Sequence, residues 1–275
     1  MITINKKDYK IIDVHTHLPW QDEYKTIKEK EQCLIDELKK NKIDSAVLIA
    51  DSLSESCIGN NQECFDVVKR NANLKMVYGF TPLERFDEQL TELHEMLEKK
   101  EVIGVKLYPG HEDFCMNDSR LDKVFKLCIK FDVPVVIHTE WNWDYYPQYS
   151  HPFFISQIAE KYKDLRIVCA HIWIPRSIES IKQTIKHDNI FYDMSSFAFD
   201  DEYKKLYPKA TFITYEKAIE ILEEIINKNP DKIMFGSDFG TLKIDAHIEI
   251  VSRLNISELN LSKLLFKNAQ KIYRI

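Results

Sequence analysis

Five side chains of this sequence have the types needed to hold and use a metal ion together: His15, His17, His138, His171 and Asp238. His15 and His17 stand one residue apart at the end of the first apolar run, IDVHTH. In a β-strand that spacing puts both imidazoles on one face, where a rigid backbone can present them to a single ion. Alone the pair is a weak signal, because two of nine histidines can fall at this spacing and simply end a strand. Its weight comes from His138, His171 and Asp238, which also follow apolar runs. Three neutral imidazoles and a carboxylate suit Zn²⁺ or a similar divalent ion, and a water at an open position then loses its proton at about pH 7. Asp238 can serve both as ligand and as acceptor of that proton, while His171 can polarise a carbonyl or relay a proton. With two metals bound, His171 would enter the coordination shell instead.

These groups meet only if the runs that carry them are strands of one sheet. Eight runs are spaced along the chain, over 11–15, 45–50, 75–80, 102–107, 133–138, 166–170, 189–194 and 232–236. Amphipathic segments such as 25–41, 84–100, 121–131 and 214–229 lie between them and are long enough for right-handed crossovers between parallel strands. The near-continuous apolarity of the runs suits strands buried on both faces, and 257–273 reads as a closing helix. The pattern predicts an α/β fold, a (β/α)₈ TIM barrel; a doubly wound open sheet would leave the eighth strand without a place. A barrel of this kind carries its site at the carboxyl ends of its strands, where all five residues fall, together with Lys106 and Tyr108.

Composition narrows the classes of partner. A length of 275 residues fits one barrel domain spanning 1–275, and a net charge of −6 gives no basic footprint for nucleic acid. Six dispersed cysteines form no C-x-x-C pair and read as reduced thiols. No stretch approaches the apolar length of a membrane span, and the N-terminal residues have no apolar signal core. The expectation is a cytoplasmic protein with a small-molecule substrate, no nucleic acid or membrane partner, and room for a homo-oligomer.

The segments IDVHTH, GVKLYPG, PVVIHTE, VCAHIWIP, IFYDMSS, IMFGSDFG and FKNAQKIY, in this order, resemble the successive signatures of the amidohydrolase superfamily. The likeness is to its amidohydrolase-related branch, which includes aminocarboxymuconate-semialdehyde decarboxylase and related lactonases, hydratases and hydrolases. The resemblance implies a metal-dependent hydrolase barrel with His15, His17, His138 and Asp238 as ligands, His171 as the catalytic histidine, and one divalent ion, zinc first. Two positions depart from it: Ile172-Trp173 stand where the branch has a glycine pair, and Phe239-Gly240 where a proline follows Ser-Asp. A lysine at the place of Lys106 is carboxylated and bridges two metals in binuclear relatives; here an unmodified lysine that orients a substrate carboxylate or carbonyl is expected. Nucleases of the TatD type would show a glutamate on the fourth strand, which GVKLYP lacks.

The loop after the fifth run, HTEWNWDYYPQY, is the most unusual local sequence. Trp141 and Trp143 are candidates for a pocket wall, with Glu140 as a supporting group or acid/base, while Trp20, Trp173, Phe197 and Phe199 stand after other strands. Asp13 shares the parity of His15 and is expected to be a buried hydrogen-bonding partner. His111 and His151 are assigned surface roles, Arg176 a surface ion pair, and His94, His187 and His247 solvated positions. The leading functional expectation is hydrolysis of an amide, ester or lactone carbonyl. The alternative is a metal-dependent lyase, a nonoxidative decarboxylase or hydratase acting on an unsaturated or aromatic carboxylic acid; a non-catalytic metal-binding barrel and a nuclease rank below both.

Overall fold

The structure is a computed structural model describing residues 2–4, 7–141, 146–199, 204–205 and 211–275. All eight expected strands form: β3 (Ile12–Thr16), β4 (Ser45–Ile49), β5 (Leu74–Gly79), β6 (Val105–Leu107), β7 (Val135–His138), β8 (Ile167–Ala170), β9 (Ile190–Asp193) and β10 (Ile233–Met234). They are parallel and adjacent in chain order. The first and last strands meet where Val14 N–H donates to Phe235 O at 3.0 Å and Asp238 N–H to His15 O at 2.9 Å, which closes the sheet into a barrel. A short antiparallel hairpin, β1 (Ile2–Ile4) and β2 (Lys7–Tyr9), precedes it and was not part of the sequence expectation.

Helices follow the amphipathic segments closely. Segment 25–41 is α1 (Ile27–Lys40), fixed at its start by a capping box in which Thr26 accepts from Glu29 N–H and the Glu29 carboxylate accepts from Thr26 N–H. Asn60 and Glu63 do the same for α2 (Asn61–Arg70), which leads from β4 to β5. The expected closing helix is interrupted: Glu258–Ser262 and Asn268–Tyr273 are α-helical, and Lys263–Lys267 between them is a π-turn. The wider turn leaves Leu264 O available to the barrel, and it accepts Phe235 N–H at 2.9 Å.

Strand alternation divides the core in two. Ala46, Leu48, Val105, Leu107, Val135, Ile137, Ile167 and Cys169 face the helices, while Val14, Val47, Val77, Val136, Val168 and Met234 fill the lumen above Ile272 and Tyr273. Each of these lumen valines is fully buried, worth roughly 1.5–3 kcal/mol relative to exposure. In β3 the alternation is broken once. Asp13 pairs with Ala46 and Thr16 with Leu48, so three residues span two, a one-residue bulge. The shift separates Asp13 from the face of His15, contrary to simple parity, and lets His15 and His17 follow Val14 onto the lumen side.

Candidate metal centre

The bulge delivers His15 and His17 to the mouth of the barrel, and β10 delivers Asp238. His15 Nε2 and His17 Nε2 lie 3.4 and 3.5 Å from Asp238 Oδ1. Among the described residues the buried His15 Nε2 has no hydrogen-bond partner, whereas its Nδ1 is 3.1 Å from Asp193 Oδ2. His17 Nδ1–H donates to Ile49 O at 2.9 Å. Both rings are therefore anchored through Nδ1, and both Nε2 atoms converge on the carboxylate. A buried orphan nitrogen beside an anionic oxygen is the donor set a divalent ion needs, so these residues fit the metal expected from the sequence.

The backbone around them allows no bulk. A Cβ on Gly236 would come within 3.1 Å of His15 Cβ and 3.4 Å of Asp193 Oδ1. Gly240, at φ +104°, would place one 2.8 Å from His17 Cβ. Asp238 itself sits at φ +60°, as do His171, Ile172 and Trp173 at +64°, +48° and +51°. Left-handed conformations at non-glycine residues cost on the order of 1–3 kcal/mol each and gather where the surrounding structure imposes them. At Ile172-Trp173 this accounts for the departure noted above: glycine adopts that conformation freely, and here the turn is held by Trp173 N–H donating to Thr139 Oγ1 at 3.2 Å and Trp173 Nε1–H to Ser150 O at 2.7 Å.

His138 and His171 occupy the same mouth, with ring centroids 4.7 Å apart, and His171 is 4.8 Å from His15. Potential ligand atoms fall into groups lying within 4.8 Å of one another: His15, His17 and Asp238; His138, Glu140 and His171; and His15, His171 and Asp193. His138 is thus nearer to Glu140 and His171 than the expected four-ligand shell suggests. A cavity of about 460 Å³ opens over them, lined by His17, Lys106, Tyr108, His138, Glu140, His171 and Asp238, with Trp20, Asp51, Cys57, Ile58, His111, Ser196 and Thr241 around its rim. Lys106 is fully buried, its Nζ 4.9 Å from the Tyr108 ring centroid, and Tyr108 O–H donates to Ala50 O at 3.1 Å.

Burial and neighbouring charges shift the titration of three of these groups. Burial, reinforced by Lys106, pushes the His15 imidazole down to about 4. Burial also holds His171 well below the usual range, with His138, His15 and Lys106 adding to it. Burial alone would raise the Asp238 carboxyl, but His17, His171 and His15 together hold it well below the carboxylate range. The neutral forms of His15 and His171 and the ionised form of Asp238 are thus the favoured ones at neutral pH. Ser196 Oγ donates to Asp238 Oδ2 at 2.9 Å and fixes its orientation.

Several placements correct or extend the sequence expectations. Trp141 is not among the cavity-lining residues: it lies under the Arg176 guanidinium, 4.3 Å from ring centroid to Cζ, and its backbone N–H donates to Ile174 O at 3.0 Å. Arg176 is thereby a stacking partner of Trp141. Trp143 lies outside the described residues. Trp173, Phe197 and Phe199 are buried in packing, whereas Trp20 lines the cavity. His111, assigned to the surface, reaches the rim with its ring 5.6 Å from His138. His247 and His187 are buried, and His247 Nε2 accepts Phe197 N–H at 3.2 Å. His94 is half-buried against Phe131, and His151 Nδ1 caps a helix by accepting Phe153 N–H. Asp13 is buried and accepts from Ser237 N–H at 3.0 Å. Asp193 and Ser195 have no metal-ligand spacing in the sequence; the signal for them is an Asp near the end of the seventh run, at lumen parity, with Ser two residues on.

A parallel barrel with histidines and an aspartate at its strand tips defines a class of metal-dependent enzyme scaffold. The sequence profile of the Amidohydrolase family matches residues 12–275, and the chain belongs to that family. No curated protein matches it. Among solved structures it is similar to an uncharacterized TIM-barrel protein from Bordetella bronchiseptica, at 18% identity and TM-score 0.73, over 96% of this chain and 98% of that one. It is also similar to a 5-carboxyvanillate decarboxylase from Novosphingobium aromaticivorans complexed with manganese, at 13% identity and TM-score 0.67, over 97% and 96%. A dihydroorotase from Campylobacter jejuni shares 19% identity at TM-score 0.61, over 97% and 83%. At these identities the likenesses concern the fold. No helix among the described residues is long and apolar enough to cross a membrane.

Proposed function

We propose that the protein is a metal-dependent hydrolase of a small molecule, acting on an amide, ester or lactone carbonyl. The observation that carries this is the convergence of His15 Nε2 and His17 Nε2 on Asp238 Oδ1 beside a cavity of small-molecule size. His15, His17 and Asp238, with His138 the further candidate ligand, would hold a divalent ion, which when bound would supply Lewis acidity at the carbonyl and lower the pKa of water. Asp238, kept ionised, accepts the proton from that water and returns it to the leaving group. His171 stays neutral beside it to move a proton within the mouth. Lys106 offers a buried cation that orients a carboxylate or carbonyl of the substrate, and Tyr108 braces it. Glu140 is the second buried carboxylate of the cavity and supports His138.

A second reading, nonoxidative decarboxylation or hydration of an unsaturated or aromatic acid, is favoured by buried Lys106 on the cavity wall and by the likeness to a decarboxylase. A panel of lactones, esters, amides and unsaturated or aromatic acids, tested with the zinc- and manganese-loaded protein, separates the two. Hydrolysis that is lost in Asp238→Asn supports the first. Carbon dioxide release or hydration, with no carbonyl hydrolysed, would replace it by the second.

A further inference from the structure

Ser195 lies where three polar groups of the mouth meet. Its Oγ is 2.9 Å from His171 Nδ1 and 3.1 Å from His15 Nδ1, and its hydroxyl donates to Asp193 Oδ1. Asp193 Oδ1 also accepts Ser195 N–H at 3.1 Å, and its Oδ2 is 3.1 Å from His15 Nδ1. All four residues are buried, so each of these contacts exchanges no partner with solvent. A hydroxyl has one proton to give. Given to the carboxylate, it leaves only lone pairs toward the two rings, and each imidazole nitrogen facing those lone pairs must carry its own proton.

We infer that Ser195 is a positioning residue that sets His171 in its Nδ1–H tautomer, with Asp193 doing the same for His15, so that both rings present a bare Nε2 to the cavity. For His15 the result is a nitrogen ready to bind the metal, which agrees with the absence of a hydrogen bond at its Nε2 among the described residues. For His171 the consequence is more specific. With Nδ1 donating to Ser195, its Nε2 meets the substrate as an acceptor, of a proton or of a metal, and the neutral ring does not donate a hydrogen bond to the developing oxyanion. The same hydroxyl ties the ring to its neighbour, so the orientations of the ligand and of the proton carrier are set together. The role serves the proposed reaction and rests on that reading, but the tautomer itself is observable without turnover.

Long-range ¹H–¹⁵N correlation spectra of zinc-loaded protein labelled at histidine nitrogen read it directly. The expected result is a protonated Nδ1 and an unprotonated Nε2 for His171. In Ser195→Ala its pattern should move toward the Nε2–H form, and in Ser195→Thr, which keeps the hydroxyl, it should return. Competition with a chelator should show zinc binding about 10- to 100-fold weaker in Asp193→Asn, the usual scale for a lost partner of a ligating histidine. A wild-type His171 protonated at Nε2, or a pattern indifferent to Ser195→Ala in a folded protein, would overturn the assignment. Either result leaves the hydrolase reading standing, because neither depends on turnover, and a hydrolase panel that fails leaves the tautomer result intact.

Discussion

Val14, Val47, Val77, Val136, Val168 and Met234 fill the lumen of the barrel; His15 and His138 lie further along two of the same strands, and Asp238 follows the end of β10. The lower layer is an apolar cluster. In the upper layer His15, His171, Asp193 and Asp238 are equally buried, and hydrogen bonds and close polar contacts link them. A polar group buried without a partner costs on the order of 1–3 kcal/mol, so the upper layer persists only as a connected set. The difference separates two kinds of dependence on sequence: the lower layer needs volume, and the upper layer needs specific atoms at specific nitrogens and oxygens.

Substitutions in the two layers should therefore fail in different ways. The largest effect is expected for Asp238→Asn, which keeps the shape but removes the proton acceptor. Turnover on any substrate found by the panel should fall about 10³-fold, while circular dichroism shows a folded barrel. Val136→Ala should do the reverse. It removes carbon volume from the packed layer, and urea denaturation should register a loss of about 2 kcal/mol with zinc affinity unchanged. A loss of metal binding in that variant would break the separation between the layers.

A smaller effect is expected in the loop after β6, where burial pushes the Glu112 carboxyl up to about 7 against hydrogen bonds from Ser52 and Thr81. The folded protein then holds a proton that the unfolded chain releases near its ordinary value, so the contribution of Glu112 to stability should fall as the pH rises from about 4.5 to 7. Glu112→Gln should match the wild type below that window and exceed it above by on the order of 1 kcal/mol, because the amide at this position does not titrate while every other group is shared by the two proteins. Denaturation midpoints at pH 4 and pH 8 check it, and equal midpoints for the two proteins at pH 8 would remove Glu112 as the source.

The lower layer could be read from the sequence because apolar runs of strand length, spaced by amphipathic segments, admit few arrangements. All eight strands lie within a few residues of their expected places, and segment 214–229 is a helix over Tyr215–Lys228. The upper layer was readable only where a residue type announces chemistry. His15, His17, His138, His171 and Asp238 stood out, whereas Ser195 and Asp193, common residues, gain their role only once β9 brings them against His15 and His171. Parity misplaced Asp13, because a bulge leaves no mark in the sequence of β3. It also could not tell that Trp141 would turn to Arg176, or that the closing helix would loosen at Lys263–Lys267 to meet Phe235.

The central claim, that the strand tips form a metal centre, is tested most directly by metal analysis of the purified protein and of His15→Ala. About one divalent ion is expected per wild-type chain, and its loss in the variant, with the far-ultraviolet circular dichroism of the barrel retained. A wild-type protein that binds no divalent ion when offered zinc or manganese, or a His15→Ala protein that holds one as tightly, would contradict it.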